Sequence, residues 1–151
     1  GVVAYNGYTI SAKKNATKAN HKIIIKFIQA ETRKCEMDYT LGIFNLNGTN
    51  LLNCSDIFGP SVSTSKINLA MKNFFQSTIK NVFNDSRESI HPGPYQGKCY
   101  PSGSQSSYLN EQGVHHLAVG WYPSQSRLTL FLDTCIEDSG KATSVTYNIR
   151  D

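Results

Sequence analysis

No Asp or Glu precedes Glu31 in this chain of 151 residues, and charged residues of both signs amount to only 17% of it. Cysteine is limited to Cys35, Cys54, Cys99 and Cys135, with no Cys-x-x-Cys pair, which argues against a zinc ribbon or a thioredoxin-like site. Gly-x-Ser-x-Gly, a phosphate loop and His-Glu-x-x-His are all missing, so the commonest hydrolase and nucleotide-binding readings fall away. No apolar run reaches membrane-spanning length, and no membrane association is expected. The opening residues, Gly1-Val2-Val3-Ala4-Tyr5-Asn6, are too short and too polar for a signal peptide, so the sequence reads as a mature chain.

What is present points outside the cell. Four widely spaced cysteines suit two disulfides, and of the three pairings possible Cys35–Cys54 with Cys99–Cys135 is favoured, because each pair brackets neighbouring strands or a loop and its sheet. Sequons occur at Asn15, Asn47, Asn53 and Asn84, as expected of a secreted glycoprotein, although a chain rich in Asn, Ser and Thr acquires one or two by chance. The length suits a single domain, residues 1–151, able to bury a core of its own.

Alternation of apolar and polar residues predicts three successive strands at residues 114–121, 127–133 and 142–150, separated by turns at 123–126 and 137–140. Further strands are expected at residues 22–28, where Ile23-Ile24-Ile25 favours extended backbone, and at 39–44; a turn at Asn47-Gly48 then returns 51–54 alongside. Residues 16, 19, 23, 27 and 30 also fit a helical face, but the β-branched run weighs towards a strand. Residues 7–10 read as a short strand and 13–20 as a basic loop. One helix is expected at residues 67–82, with its cap among residues 61–64 and an apolar stripe of Ile67, Met71, Phe74, Phe75, Ile79 and Val82 facing a sheet. Residues 84–113, dense in Ser, Pro, Gly and Asn, read as a long loop or set of turns anchored by Cys99. The fold class is therefore α+β: an antiparallel sheet with one main helix on one face and two disulfides.

Chemistry-bearing residues are few. His115 and His116 are adjacent on a strand and must point to opposite faces, so they cannot form one metal site or one acid–base couple without a bulge. His91 stands in a proline-flanked turn, and Glu111 with Arg87 completes the acid–base set of a metal-free ribonuclease, one that many sequences would supply. The charge distribution is more informative than the net +4. Over residues 1–34, Lys13, Lys14, Lys18, Lys22, Lys26, Arg33 and Lys34 stand against Glu31 alone, seven minus one, or six net positive charges. Lys13, Lys14, Lys18, Lys22 and Lys26 are accordingly the candidate polyanion-binding residues, against the plainer role of keeping an exposed edge soluble.

The segments Lys98-Cys99-Tyr100, Val114-His115-His116-Leu117-Ala118-Val119-Gly120-Trp121, Leu130-Phe131-Leu132-Asp133-Thr134-Cys135 and Thr143-Ser144-Val145-Thr146-Tyr147 follow one another in the chain, with Leu51-Leu52-Asn53-Cys54 upstream. In that order they resemble the segment preceding the catalytic core of secreted arthropod DNA/RNA non-specific endonucleases, across about a third of the chain. The Asp-Arg-Gly-His signature and metal-binding Asn of that family have no counterpart here, so the resemblance implies a piece or derived form without the catalytic centre. Together these readings describe a secreted, non-catalytic binding protein, an effector or salivary-type factor, that needs no cofactor or metal and acts on an extracellular protein or polyanion. A nuclease-like or ribonuclease-like enzyme using His115 or His116, His91 and Glu111 is the alternative.

Overall fold

A computed structural model of the chain describes residues 2–93, 98–101, 103, 111–122 and 127–150, excluding the side chains of 2–6 and 122. It opens with a helix, α1, spanning Val2–Met37. Residues 7–10, 13–20 and 22–28, expected to be strand, basic loop and strand, are all helical within it. The reason lies in which stripe is buried. Thr17, His21, Ile24, Ile28, Glu31 and Cys35 recur at alternating intervals of four and three, and all are almost fully buried. Half of that stripe is polar, so a search for apolar periodicity passes over it. The face suggested by residues 16, 19, 23, 27 and 30 instead leaves Ile23 53% exposed.

The hairpin β1 (Gly42–Leu46) and β2 (Thr49–Asn53) follows α1. Its turn is the expected Asn47-Gly48, with both residues at positive φ, 52° and 85°, as a two-residue hairpin turn of this kind requires. Phe44 also sits at positive φ, 55°, an uncommon conformation for a bulky side chain. Its N–H donates to Glu31 Oε2 at 3.0 Å, while the other Glu31 oxygen pairs with Lys34, so a buried carboxylate on α1 stabilises the irregular point of β1. Cys35 bonds to Cys54 at the end of β2 and fastens the last turns of α1 to the hairpin.

A single-turn helix, α2 (Ser55–Phe58), leads to α3 (Thr64–Thr78), whose N-cap Ser63 accepts from Lys66 N. α3 is the helix expected at 67–82, ending four residues earlier with Ile79 extended. Its buried face carries Ile67, Met71, Phe74 and Phe75 of the anticipated stripe together with Ala70, while Ile79 and Val82 lie beyond the helix. Phe27 of α1 stacks on Phe74 at 4.6 Å between ring centroids and meets Phe75 edge-on at 5.7 Å, and Phe44 closes the same cluster.

The main sheet has the order β3-β4-β5-β6: β3 (Ile90–Pro92), β4 (His115–Tyr122), β5 (Arg127–Thr134) and β6 (Thr143–Arg150). The last three form the expected antiparallel meander, whose first turn, at 123–126, lies outside the described residues. β3 falls within the stretch expected to be loop and pairs parallel with β4, making the sheet mixed. Its free edge is short and covered by α3, where Gln76 Oε1 accepts from Ile90 N at 3.0 Å and Asn68 Oδ1 accepts from Val119 N at 2.9 Å. One sheet face carries Leu117, Val119, Leu128, Leu130 and Leu132 into the core shared with α1 and α3. Cys99–Cys135 is the second disulfide, so both bridges match the favoured pairing and the α+β class stands.

Phe75→Ala removes a fully buried ring from the aromatic cluster and is expected to lower stability by about 3–5 kcal/mol. Lys72→Ala, on the outer side of α3 and paired with Glu88 in a part-exposed ion pair, should cost about 0–1 kcal/mol. Urea midpoints for the two variants check the placement of α3, and equal midpoints would contradict it.

Candidate functional site

The start of β4 is set by Gly113, at φ 84°, where a Cβ would stand 2.0 Å from Asn81 Oδ1. The chain turns there without a side chain, Gly113 N donates to Cys135 O, and His115 and His116 enter the sheet in fixed orientation. As the strand period requires, they face opposite ways.

His115 points towards α1 and is fully buried. Its Nδ1 lies 2.8 Å from Thr134 Oγ1, and His21 Nδ1, from α1, lies 2.7 Å from the same oxygen. One hydroxyl thus joins two imidazoles on two elements. Because it has a single proton, at least one ring must carry its own proton on Nδ1 and donate to the oxygen. The Nε2 atoms of both rings are buried without a hydrogen-bond partner among the described residues. Burial, with His21 and His116 nearby, pushes the His115 pKa down to about 3. Burial also lowers the pKa of His21, opposed by the charge of Asp133. Both rings are therefore neutral near pH 7, and they serve to hold α1 against β5.

His116 points to the other face, where its ring meets His91 edge-on at 5.3 Å between centroids. The strand register sets His91, His116, Asp133 and Ser144 in one row across β3, β4, β5 and β6. His91 is half-buried, and burial lowers its pKa against the opposing charge of Glu88. Glu111 does not join this row. It is fully buried, accepting from Gly103 N at 2.9 Å. The structure therefore separates the suggested acid–base set: His115 goes to the α1 interface, His91 and His116 stand together, and Glu111 supports a turn. His21, Thr134 and Asp133 were missed as partners of these residues. His21 was legible only as a member of the stripe running from Thr17 to Cys35. Among the described residues no group of three or more His, Cys, Asp or Glu is placed to hold a metal ion.

The five candidate lysines all lie on α1, so their spacing acquires a geometry that a loop would not give. At about 100° per residue, Lys18, Lys22, Lys26 and Arg33 fall within an arc of about 80° on the outer side of the helix, over a length of about 22 Å. All four are exposed, and the sequon residue Asn15 lies on the same arc. Lys14 turns to Glu137 after β5, and that partner raises its pKa. Lys13 stands 5.9 Å from the centre of the Phe83 ring. Two of the five thus have partners within the molecule, while three face solvent with Arg33. Of the other sequon residues, Asn47 and Asn53 are exposed in the hairpin and Asn84 is half-buried.

No family model, curated protein or solved structure matches this chain. Among the described residues no helix is long and apolar enough to cross a membrane.

The buried imidazoles make acid sensitivity a direct expectation. In the unfolded chain a His ionises near 6.5, whereas folded His115 resists protonation down to about 3. Its effect on stability is absent above pH 6.5, and stability then falls with pH by up to about 1.4 kcal/mol per unit through this one group. His115→Gln, which does not titrate and can still reach Thr134, should flatten the decline in denaturant-derived stability between pH 6.5 and 4.5. An unchanged slope would contradict the burial of a neutral ring.

Proposed function

We propose that the chain is a secreted, disulfide-bonded binding protein that takes a polyanion on the outer face of α1. The observation that carries this reading is the arc of Lys18, Lys22, Lys26 and Arg33 on a helix in which no acid precedes Glu31. A rigid row of cations is suited to a chain of sulfates or phosphates, because the side chains already share one face before the ligand arrives. The two disulfides and four sequons support an oxidising, extracellular setting. The resemblance to a nuclease segment lacking its catalytic signature runs in the same direction: nucleic-acid-like ligands without cleavage.

The juxtaposition of His91 and His116, with Asp133 next in the row, favours a second reading, a metal-free nuclease-like enzyme. Against it, His116 is only 2% exposed, which leaves little of its ring for a substrate to reach.

Binding to heparin and to single-stranded RNA across a salt series separates the two readings. Four phosphate contacts on single-stranded nucleic acid give a slope of about −3 in log binding constant against log salt. Replacing Lys18, Lys22 and Lys26 together by Ala should reduce that slope by about 2, while replacing Lys66, Lys72 and Lys80, which alters net charge equally, should leave most of it. Equal losses from the two triple variants would contradict a localised site. RNA turnover that disappears in His91→Ala would instead support the enzyme.

A further inference from the structure

The two edges of the main sheet are treated differently. At the β3 edge, Asn68 and Gln76 of α3 accept the N–H groups that a missing strand would have bonded. β6 has no such cover: among the described residues no side chain or loop is hydrogen-bonded to its outward backbone, and Thr143, Ser144, Thr146 and Asn148 are exposed. It is eight residues long and contains no proline, and its one charge, Arg150, is at the far end. The register shift between Leu128 and Thr129 leaves Ile149 unpaired near that end and keeps Thr143–Asn148 regular. An edge of this length without a charge or proline in its regular part lacks the usual devices against strand addition.

Beside the second half of β6 runs a groove of about 1040 Å³, lined by residues 146–150 on one side and by Glu36, Tyr39 and Phe58 on the other. Arg150 fixes that end of the strand, donating to Ile57 O and Gly59 O at 3.3 and 3.2 Å while its guanidinium lies over Trp121. Phe58, between those carbonyls, stacks with Tyr39, and Glu36 lines the same groove beside the second half of β6.

We propose that β6 pairs antiparallel with β6 of a second copy of this chain, joining two four-stranded sheets into one of eight strands about a two-fold axis. Three features favour a second copy over an unrelated strand. The regular part of β6 is uncharged, so two copies meet there without like-charge repulsion. Antiparallel pairing lays the Thr143 end of one copy against the Arg150 end of the other, which carries the partner's Lys141 towards Glu36. The two-fold axis forms this charge contact twice from one pair of residues. Glu36 follows Arg33 by about one turn on the same side of α1, so this contact lies at the C-terminal end of the basic face, and pairing would present two such faces on one assembly.

Sedimentation equilibrium of the full chain from low micromolar to submillimolar concentration, together with amide exchange of residues 143–150, tests the proposal. A concentration-dependent dimer is expected, with slower exchange of the β6 amides as it forms. Glu36→Lys and Lys141→Glu should each weaken association several-fold, and the double variant should restore it. Both sites are solvent-facing, so the singles are expected to fold. A monomer throughout, a dimer whose β6 amides are not protected, or a double variant no better than the singles would each overturn it.

Discussion

A helix of 36 residues must find somewhere to put one of its sides, and that constraint shapes the rest of the molecule. α1 is about 54 Å long, roughly twice the reach of an eight-residue strand, so the sheet supports only part of it. Burial runs from Thr17 to Cys35, and further towards the N-terminus Tyr8 and Ile10 are largely exposed. Within the supported part, four fixing contacts are spread along the helix. His21 reaches Thr134, Phe27 enters the aromatic cluster, Glu31 holds Phe44 N–H, and Cys35 is bonded to Cys54. Four kinds of interaction spaced from His21 to Cys35 specify the rotation of the helix about its axis more closely than apolar contact alone would. That rotation determines which side chains are left outside, and so determines that Lys18, Lys22, Lys26 and Arg33 share a face.

The polar members of this interface carry an energetic cost that apolar ones would not. His115 and His21 are neutral rings sharing one hydroxyl, with each Nε2 buried and unbonded within the described residues. Buried polar groups of this sort stabilise one arrangement over its neighbours, because sliding α1 by a turn would separate both rings from Thr134. They also tie the attachment of α1 to protonation. Acid that charges these rings acts on the same contacts that present the basic face.

Much of the chain after α1 was legible in the sequence because its physics is local. Leu128, Leu130 and Leu132 alternate cleanly in β5, Asn47-Gly48 is a strong turn signal, and the stripe from Ile67 to Phe75 is apolar throughout. The α1 segment misled for the opposite reason. Ile23-Ile24-Ile25 has strand propensity, but only Ile24 is fully buried, and tertiary contacts from Thr17, His21 and Glu31 outweigh local preference. The basic cluster was visible as composition, but its geometry followed only from the helix. The histidines were half legible: opposite faces for His115 and His116 follow from strand period, whereas the partnership of His115 with His21, 94 positions apart by 115 − 21, is purely tertiary. The short parallel strand β3 was hidden by the prolines and turn residues around it.

Whether α1 presents one cationic face and buries another is tested by residue-resolved NMR of the isotope-labelled protein titrated with a heparin oligosaccharide. Helical secondary shifts are expected without a break through residues 13–34, with ligand-induced changes concentrated at Lys18, Lys22, Lys26 and Arg33 and largely absent at His21, Ile24 and Ile28. Extended-backbone shifts at residues 22–28, or changes spread evenly around the helix, would contradict it.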